Sequence, residues 1–520
     1  MYIDGNDAKL LLNGFQHGFS LQYTGPRVAV KAKNLVSADI HKNETLAKLQ
    51  NEVMLGRMIG PFSTKPISML RISPIGLVSK SDGGCRLITH LSFPEGSGVN
   101  AYIAEEYCKV KYSSFDGVLD MISSLGKGAE LGKIDIKQAF RLLIVNPADF
   151  DLLGIQFEGK YWVDKNLPMG CSISCSLFEK FDTFLHWVVQ FKTDLDTLDH
   201  YLDDFIFAGA NGSGNCALLM DVFKNICQEL GVPLADNKTV GPTTLLTFLG
   251  LLIDTVNMIV KIPVDKVERL KFGINLILNS NKMKVKDFES IIGLMAFCAR
   301  AIPSGRAFLR RFDDVLSCMK VRKSYYYIRI SKEVKADALV WQEFLESFNG
   351  ECYLPDRIWI SSETLELFTD SAGSASLGCG AYLSGHWAQF RWPAHWEKEN
   401  FMKDISFLEL VPIILAFHIW TPRFINKKIL LRIDNQALVA IVNNRTSKSK
   451  YIMQLVRPLV LLCMRSNIQV RAMHISGVQN ELADCLSRFQ MDRFKKLAPM
   501  ADQAPSDIPA EFWSMISKLK

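Results

Sequence analysis

The amino-acid sequence predicts an α+β fold in which two α/β blocks are separated by a helical stretch. Short apolar runs bounded by turn residues indicate strands, with helices between them, in residues 65–255. Apolar residues recur at helical spacing in residues 264–348, apart from a Pro/Gly break at Ile302–Gly305. A second succession of strands and helices covers residues 360–489. A chain of 520 residues, 48% of them hydrophobic, is long enough to bury more than one core.

The elements follow in chain order. Residues 1–64 are expected to be irregular at first and then helical. SPIGLVSK and CRLITHLS read as strands around an SDGG turn, LGKIDIK as a third strand, and LLGIQFEGKYWVD as a hairpin turning at Glu158-Gly159. SISCSLFEKFDTFLHWVVQF reads as a helix, and residues 256–350 form the helical connection. The second block reads strand, strand, strand, helix, strand, helix, strand, helix, and residues 490–520 form a Pro/Ala-rich linker and tail.

Composition limits the function classes only loosely. The net charge of +6 and the pI of about 8.6 permit a nucleic-acid partner without requiring one. The closest cysteines, Cys171 and Cys175, lack a His/Cys partner set for zinc. MYIDGNDAKL is not a signal peptide, and the apolar stretches Leu245–Ile253 and Leu410–Trp420 are too short to span a bilayer. We therefore expect an intracellular chain, in the cytoplasm or the nucleus, with no membrane partner.

Two adjacent aspartates, Asp203 and Asp204, interrupt the apolar, β-prone run HYLDDFIFAG. A solvated hairpin turn is one explanation, because Asp is a common turn residue. A second pair, Asp313-Asp314, lies in an amphipathic helical pattern, so an Asp-Asp pair alone indicates no chemistry. In KIDIKQAF, however, Asp135 lies at the end of another strand, and converging carboxylates repel unless they are protonated or bridged by cations. Two bridging Mg²⁺ ions would support an in-line displacement at phosphorus.

The motifs KIDIKQAF, LPMGCSISCSLF, HYLDDFIFAG, LADNKT and FLGLLID, in this order, resemble the palm motifs of reverse transcriptases. DGGCRLITHLSFPEGSGVNAYI resembles the fingers of DIRS-type retrotransposons, which carry a tyrosine recombinase. The resemblance implies an α+β right-hand polymerase, with fingers and palm in residues 65–255 and a thumb in residues 256–350. It also implies two Mg²⁺ or Mn²⁺ ions per active site, held by Asp135, Asp203, Asp204 and the carbonyl of Ile136.

The same resemblance implies which residues contact the substrates. Phe140 would lie under the sugar of the incoming nucleotide and exclude a 2′-OH, unless it is a core residue at a strand–helix junction. Arg86 and Lys80 would hold the triphosphate, unless they are solvated residues of a hairpin. Lys238 would lie near the pyrophosphate, although a surface lysine is nearly as good an explanation. The predicted contacts to primer–template are Met169 and Gly170.

A second set of carboxylates is distributed over residues 360–489. LELFTDSAG places Asp370 on the first strand, SFLELVPIILAF places Glu409 on a helix, LLRIDNQAL places Asp434 at the end of a later strand, and NELADCLSR places Asp484 on the last helix. Each alone could be a cap or a surface charge. Their order resembles the four-carboxylate metal site of the α/β ribonuclease H fold. The resemblance also implies a loop histidine, His474, that assists proton transfer or product release.

Together the resemblances imply an RNA-directed DNA polymerase that also cleaves the RNA of RNA–DNA hybrids. The implied partners are an RNA template, a DNA primer or template, RNA–DNA hybrids and dNTPs, with a coat-like protein and a tyrosine recombinase encoded by the same element. An RNA-templated RNA polymerase is disfavoured by the ribonuclease H block and by Phe140. A decayed or co-opted retroelement remnant that only binds nucleic acid stays open, because intact motifs do not prove turnover.

Overall fold

The protein is described from a computed structural model, and it divides into two compact units. The described residues are 4–79, 83–319, 321, 323–347, 351–353, 359–399, 401–425, 427–466, 468–475 and 480–519. The first unit comprises Met1–Leu249 and Asp254–Asn257, and the second comprises Gly250–Ile253 and Met258–Lys520. The stretch expected as a thumb therefore shares one unit with the second α/β block.

The first unit combines α-helices with short antiparallel strands. Its helices are α1 (Gly5–His17), α2 (Val36–Ile40), α3 (Lys42–Met54), α4 (Glu105–Cys108), α5 (Phe115–Leu125), α6 (Ser174–Thr193) and α7 (Asn215–Leu230). Its strands are β1 (Met58–Phe62), β2 (Ile75–Ser79), β3 (Cys85–Thr89), β4 (Glu130–Asp135), β5 (Gly154–Phe157), β6 (Lys160–Asp164), β7 (Leu198–Tyr201), β8 (Asp204–Gly209), β9 (Val240–Thr243) and β10 (Leu245–Phe248).

The sheet that matters most for function has the strand order β7-β8-β4-β9. Its strands pair antiparallel, and α6 and α7 cover one of its faces. Phe205 and Phe207 alternate out of β8 onto this face and pack against Phe223 of α7, with ring centroids 4.4 and 5.3 Å apart. Replacing one of these buried rings by alanine would cost about 3–5 kcal/mol. The aromatic core thus fixes the position of the polar strand ends.

Helix α1 lies in the segment that was expected to be irregular. The Asp4 side chain caps it by accepting hydrogen bonds from the backbone N–H groups of Asn6 and Asp7. The Phe15 ring packs edge-on against Phe181 of α6, with centroids 5.3 Å apart. The helix is therefore stabilised by tertiary packing, which its short apolar pattern does not reveal.

The second unit contains the helical stretch and the second α/β block. Its helices are α8 (Val264–Asn279), α9 (Val285–Cys298), α10 (Arg310–Ser317), α11 (Lys332–Ser347), α12 (His395–Lys398), α13 (Ile405–Phe424), α14 (Gln436–Asn444), α15 (Lys450–Arg465), α16 (Glu481–Ser487), α17 (Met491–Leu497) and α18 (Ala510–Ser517). The strands from the boundary onward are β11 (Leu251–Asp254), β12 (Ile259–Lys261), β13 (Lys282–Lys284), β14 (Tyr327–Arg329), β15 (Glu351–Tyr353), β16 (Ile360–Ser361), β17 (Leu367–Ser371), β18 (Gly378–Leu383), β19 (His386–Arg391), β20 (Lys428–Ile433) and β21 (Gln469–His474).

The second block pairs its strands in two ways. β17, β18 and β19 form an antiparallel meander, whereas β20 lies parallel to β16 and β21. Two helices, α14 and α15, stand between β20 and β21 where the sequence predicted one. The predicted single helix is interrupted because Arg445, which ends α14, adopts a left-handed conformation (φ 52°). Ser449 then caps α15 by accepting a hydrogen bond from the Ile452 N–H.

A buried charge network joins the helical stretch to this block. Asp337 of α11 is only 2% exposed. It accepts a hydrogen bond from Arg311 of α10 at 2.9 Å and lies 3.3 Å from the Nε atom of Arg457 of α15. Removing one partner of such a buried pair is strongly destabilising, because the remaining charge is left uncompensated. This network helps to explain why the two stretches form a single unit.

Helix α13 contains the apolar stretch expected to be too short to cross a bilayer. The helix has 20 residues, and its length and composition alone would permit a membrane span. Most of its residues are buried, and it packs against β17, β18 and α15. The helix is therefore a core helix of the second block.

Residues 490–520, expected as a linker and tail, contain α17 and α18 and pack onto the second block. The ring of Phe494 lies 5.5 Å from Trp387 of β19, and Phe512 lies 5.4 Å from Phe390 of the same strand. The indole N–H of Trp387 also donates to the carbonyl of Asp502 at 2.7 Å. Aromatic anchors thus attach a Pro/Ala-rich segment whose composition is typical of a linker.

Candidate active sites

The first carboxylate cluster consists of Asp135, Asp203 and Asp204. Asp135 ends β4 and lies directly opposite Asp204, the first residue of β8. Asp203 lies in the turn before β8, where Leu202 has a positive φ of 50°. The Ile136 N–H donates to the Asp203 carbonyl at 2.9 Å and holds this turn against the end of β4. The structure therefore brings the three predicted carboxylates and Ile136 together.

Burial and mutual repulsion disfavour charge in this cluster. Burial raises the pKa of Asp203 above its ordinary value, and the nearby Asp135 and Asp204 raise it further. Burial also raises the pKa of Asp135, although Lys238 opposes the shift. Lys238 Nζ lies 2.9 Å from Asp135 Oδ2. Lys133 Nζ lies 2.9 Å from Asp204 Oδ1, at ion-pair distance but outside hydrogen-bonding geometry.

Lys133 was missed by the sequence reasoning, although a signal was present. It lies two residues before Asp135 on β4, so both side chains point to the same face of the strand. Among the described residues, Asp204 Oδ1 is buried without a hydrogen-bond partner. A buried carboxylate oxygen that accepts no hydrogen bond and lies beside two further carboxylates is a suitable ligand for a hard divalent cation, which prefers oxygen.

The predicted nucleotide contacts are placed in different surroundings. Phe140 is half-buried, and its ring packs edge-on against Phe178 at a centroid distance of 5.6 Å, so it forms the edge of the core. Arg86 is exposed on β3. Lys238 lies at Asp135, as described above. Lys80 lies outside the described residues.

Gly170 lies at a close approach between two backbones. Its φ is 106°, and a Cβ atom there would lie 2.4 Å from the Thr89 carbonyl oxygen at the end of β3. Asn100, which the sequence reasoning missed, donates from Nδ2 to the Gly170 carbonyl at 2.8 Å. The neighbouring Met169 is half-buried. Glycine is therefore required at position 170 for both conformation and space.

The second carboxylate cluster consists of Asp370, Glu409, Asp434 and Asp484. Asp370 lies on β17, Glu409 on α13 and Asp434 directly after β20, and these three line a cavity of about 180 Å³. Ser487 of α16 donates to Asp370 Oδ2 at 2.6 Å. The fold thus brings residues that are 64 positions apart in sequence, such as Asp370 and Asp434, to one cavity.

Glu409 is the most strongly perturbed member of this cluster. Burial raises its pKa to about 7, and the charge of Asp434 contributes to the shift. Burial likewise raises the pKa of Asp370, against the hydrogen bond from Ser487. Among the described residues, Glu409 Oε2 has no hydrogen-bond partner. A buried carboxylate oxygen without a partner beside other carboxylates fits a divalent cation.

Asp484 and His474 lie next to residues that line this cavity: Ser487 bonds both the Asp484 carbonyl and Asp370, and His474 lies beside Asp434. Asp484 lies on α16 and pairs with Arg488 Nε at 2.6 Å and with an Arg493 Nη atom at 3.4 Å. His474 ends β21, and its Nε2 lies 3.1 Å from the carbonyl oxygen of Asp434. The sequence reasoning missed the two arginines and Ser487, although NELADCLSR places Ser487 and Arg488 within one helical turn of Asp484.

Comparisons with known proteins bear on the fold. No family model matches the chain. Protein P of duck hepatitis B virus (strain China) is 30% identical over 168 residues, 32% of this chain and 20% of Protein P. Protein P of the United States strain is 30% identical over 122 residues, 23% of this chain and 14% of that protein. The chain thus matches only a fifth or less of these relatives' length.

A solved structure extends the likeness to almost the whole chain. The foamy viral protease-reverse transcriptase dRH in complex with double-stranded DNA has a TM-score of 0.50 and 16% sequence identity, covering 91% of this chain and 79% of that chain. The chain has the fold of a reverse transcriptase. The predicted fold class, a right-hand polymerase followed by a ribonuclease H-like domain, is confirmed. In this reverse transcriptase fold, the first carboxylate cluster lies in the polymerase part and the second in the ribonuclease H-like domain.

Proposed function

We propose that the chain is an RNA-directed DNA polymerase that also hydrolyses the RNA strand of RNA–DNA hybrids. The observation that carries the proposal is the presence of two separate carboxylate clusters within one reverse transcriptase fold. Each cluster has a buried carboxylate oxygen without a hydrogen-bond partner among the described residues, on Asp204 and on Glu409. Like-charged groups gathered in this way are costly unless cations join them.

In the polymerase site, Asp135, Asp203 and Asp204 would hold two Mg²⁺ ions, with Ile136 offering its carbonyl. Bound there, the ions supply activation of the attacking oxygen and stabilisation of the leaving oxygen. The hydrogen bond to Asp135 raises the pKa of Lys238, so its Nζ stays protonated and can face the negative charge of a departing pyrophosphate. The Phe140 ring, held by Phe178, restricts the space available to a sugar.

In the ribonuclease site, Asp370, Glu409, Asp434 and Asp484 would hold the ions. Metal ions bound there supply activation of the attacking water. Glu409 holds a proton near neutral pH and must release it to act as a ligand. His474 is fixed by the backbone of Asp434 at the rim, where an imidazole can exchange protons with solvent or product. Arg488 and Arg493 restrain Asp484 at the same rim.

The source of the chain and its partners belong to the same proposal. The fingers-like sequence DGGCRLITHLSFPEGSGVNAYI supports a DIRS-type retrotransposon, with a coat-like protein and a tyrosine recombinase as further products of the element. RNA template, DNA primer or template, RNA–DNA hybrid and dNTPs are the partners that the two sites require. The foamy viral structure with bound double-stranded DNA supports a duplex partner.

Primer extension on a labelled RNA template tests the proposal. We expect Mg²⁺-dependent or Mn²⁺-dependent extension with dNTPs, together with shortening of the labelled RNA wherever it is paired with DNA. A chain that binds the hybrid but shows neither activity with either metal would instead be a decayed or co-opted remnant. Extension restricted to ribonucleotides would identify an RNA polymerase.

A further inference from the structure

Two histidines and an aspartate meet on the helix side of the catalytic hairpin. His186 lies on α6, and Asp199 and His200 lie on β7, shortly before Asp203. The Nδ1 atoms of His186 and His200 are 3.0 Å apart. One carboxylate oxygen of Asp199 lies within 4.8 Å of both imidazole ligand atoms. No step of the proposed polymerase reaction uses these side chains.

The spacing and the ligand types suit a borderline-soft metal ion. Tetrahedral zinc binds histidine nitrogen at about 2.0–2.1 Å, which places neighbouring ligand atoms roughly 3.3 Å apart. The separation of the two Nδ1 atoms is close to that value. Imidazole nitrogen suits zinc, copper or nickel, whereas Mg²⁺ prefers oxygen ligands. His200 is buried and His186 is half-buried, so the two imidazoles meet away from bulk solvent.

The surrounding side chains provide the outer contacts that metal ligands need. His200 Nε2, the nitrogen left over by Nδ1 ligation, lies 3.4 Å from Glu179 Oε1. Asp199 Oδ1 accepts from Ser113 Oγ at 2.5 Å and from the His200 N–H at 2.8 Å, which leaves Oδ2 for a ligand. A carboxylate behind a ligating histidine is the usual arrangement around protein-bound zinc. His200 Nε2 and Glu179 Oε2 are also buried without hydrogen-bond partners among the described residues.

We propose that His186, Asp199 and His200 bind one Zn²⁺ ion, distinct from the metals of the two carboxylate clusters. The ion would join α6 to β7, and β7 pairs with β8 through His200 opposite Phe205. Asp203 and Asp204 follow in the same hairpin, so the zinc would fix the strand that presents them. The ion would have a structural role, because none of its three ligands belongs to the carboxylates proposed to act on substrate, and a water molecule would complete the tetrahedral coordination.

Metal analysis of the purified full chain tests the proposal. The chain is equilibrated with Zn²⁺ in excess Mg²⁺, dialysed, and analysed for zinc by mass spectrometry without nucleotide or primer. We expect His186→Gln to lose one equivalent of zinc relative to the wild type. The control is His418→Gln, which changes a half-buried histidine of α13 and should retain the wild-type zinc content. Zinc should also raise the Tm of the wild type but not that of His186→Gln.

A second variant distinguishes loss of zinc binding from loss of the fold. Glu179→Gln keeps all three ligands and should weaken zinc binding by about 10–100-fold, as the loss of an outer partner does elsewhere. Equal zinc contents in the wild type, His186→Gln and Glu179→Gln would overturn the proposal and leave the two imidazoles joined by an ordinary hydrogen bond. Because the readout is metal content, it is independent of whether the chain polymerises DNA.

Discussion

The two carboxylate clusters reduce their internal repulsion by different means. In the polymerase part, Lys238 and Lys133 each lie 2.9 Å from a carboxylate oxygen, of Asp135 and Asp204 respectively. In the ribonuclease H-like domain, Glu409 has no such partner among the described residues, and burial raises its pKa to about 7. Two carboxylates of the first cluster are therefore paired with lysines. In the second cluster, Asp484 is paired with Arg488 and Arg493, whereas Glu409 is compensated by a proton. Metal binding would displace an ammonium group in the first cluster and the proton of Glu409 in the second.

The largest effect is expected from a substitution that inactivates one cluster and leaves the other intact. Asp203→Asn removes a metal ligand without changing side-chain volume, so DNA extension should fall by orders of magnitude while hybrid cleavage persists. Asp434→Asn should do the reverse, because a ligand must lie within bonding distance of its own ion. Both activities are measured on one labelled hybrid at matched salt, since binding to nucleic-acid phosphates is salt-sensitive.

Asp314→Asn is the matched control for this experiment. Asp314 belongs to the other Asp-Asp pair and forms an exposed ion pair with Arg310 on α10. Exposed pairs of this kind contribute about 0–1 kcal/mol, so both activities should stay near the wild-type level. Loss of both activities in an Asp434→Asn chain with normal melting and normal hybrid binding would contradict the assignment of two independent sites.

The difference in charge compensation predicts a difference in pH dependence. Below about pH 7, Glu409 is protonated and must lose its proton before it can bind a metal ion. The apparent Mg²⁺ affinity for hybrid cleavage should therefore fall about tenfold for each pH unit below 7 and level off above it. Mg²⁺ titrations of cleavage at a series of pH values measure this slope. An Mg²⁺ affinity that stays constant over about two pH units below 7 would show that Glu409 is not a ligand.

A smaller effect is expected at the sugar-facing position of the polymerase site. Phe140→Ala removes the ring that rests on Phe178. We expect ribonucleotide incorporation to rise by more than deoxynucleotide incorporation falls, while hybrid cleavage is unchanged. Single-nucleotide extension with matched dNTP and rNTP measures the ratio. An unchanged ratio in a folded protein would assign Phe140 to the core alone.

The sequence predicted the members of both clusters because the order of their motifs along the chain resembles that of known metal sites. It did not predict how they are compensated. Lys133 on β4 forms an ion pair with the diagonally placed Asp204 on β8. This contact depends on the strand register that pairs Asp135 with Asp204. The pKa of Glu409 depends on burial, which arises only when α13 packs against the strands of its domain.

Contacts between residues far apart in sequence also explain where the fold differs from the sequence prediction. Helix α1 is held by Phe181, which lies far from it in sequence, and the tail is held by the aromatic residues of β19. Local patterns cannot reveal such contacts. The helix boundary at Arg445 requires a left-handed arginine, for which the sequence offers no glycine or asparagine at that position as a signal.

The smallest effect is expected from a substitution of Lys133, which tests whether this lysine compensates the charge of Asp204 in the first cluster. Lys133→Met keeps an unbranched side chain but removes the ammonium group beside Asp204, so the metal-free first cluster loses part of its compensation. The metal-free Tm should fall, and the rise in Tm on adding Mg²⁺ should become larger, with a difference of about 1 kcal/mol in unfolding free energy. Lys224→Met is a suitable control, because Lys224 forms an exposed ion pair with Asp221 on α7 and lies outside the cluster. If both variants respond to Mg²⁺ like the wild type, Lys133 does not compensate Asp204, and the contrast between the clusters depends on Lys238 alone.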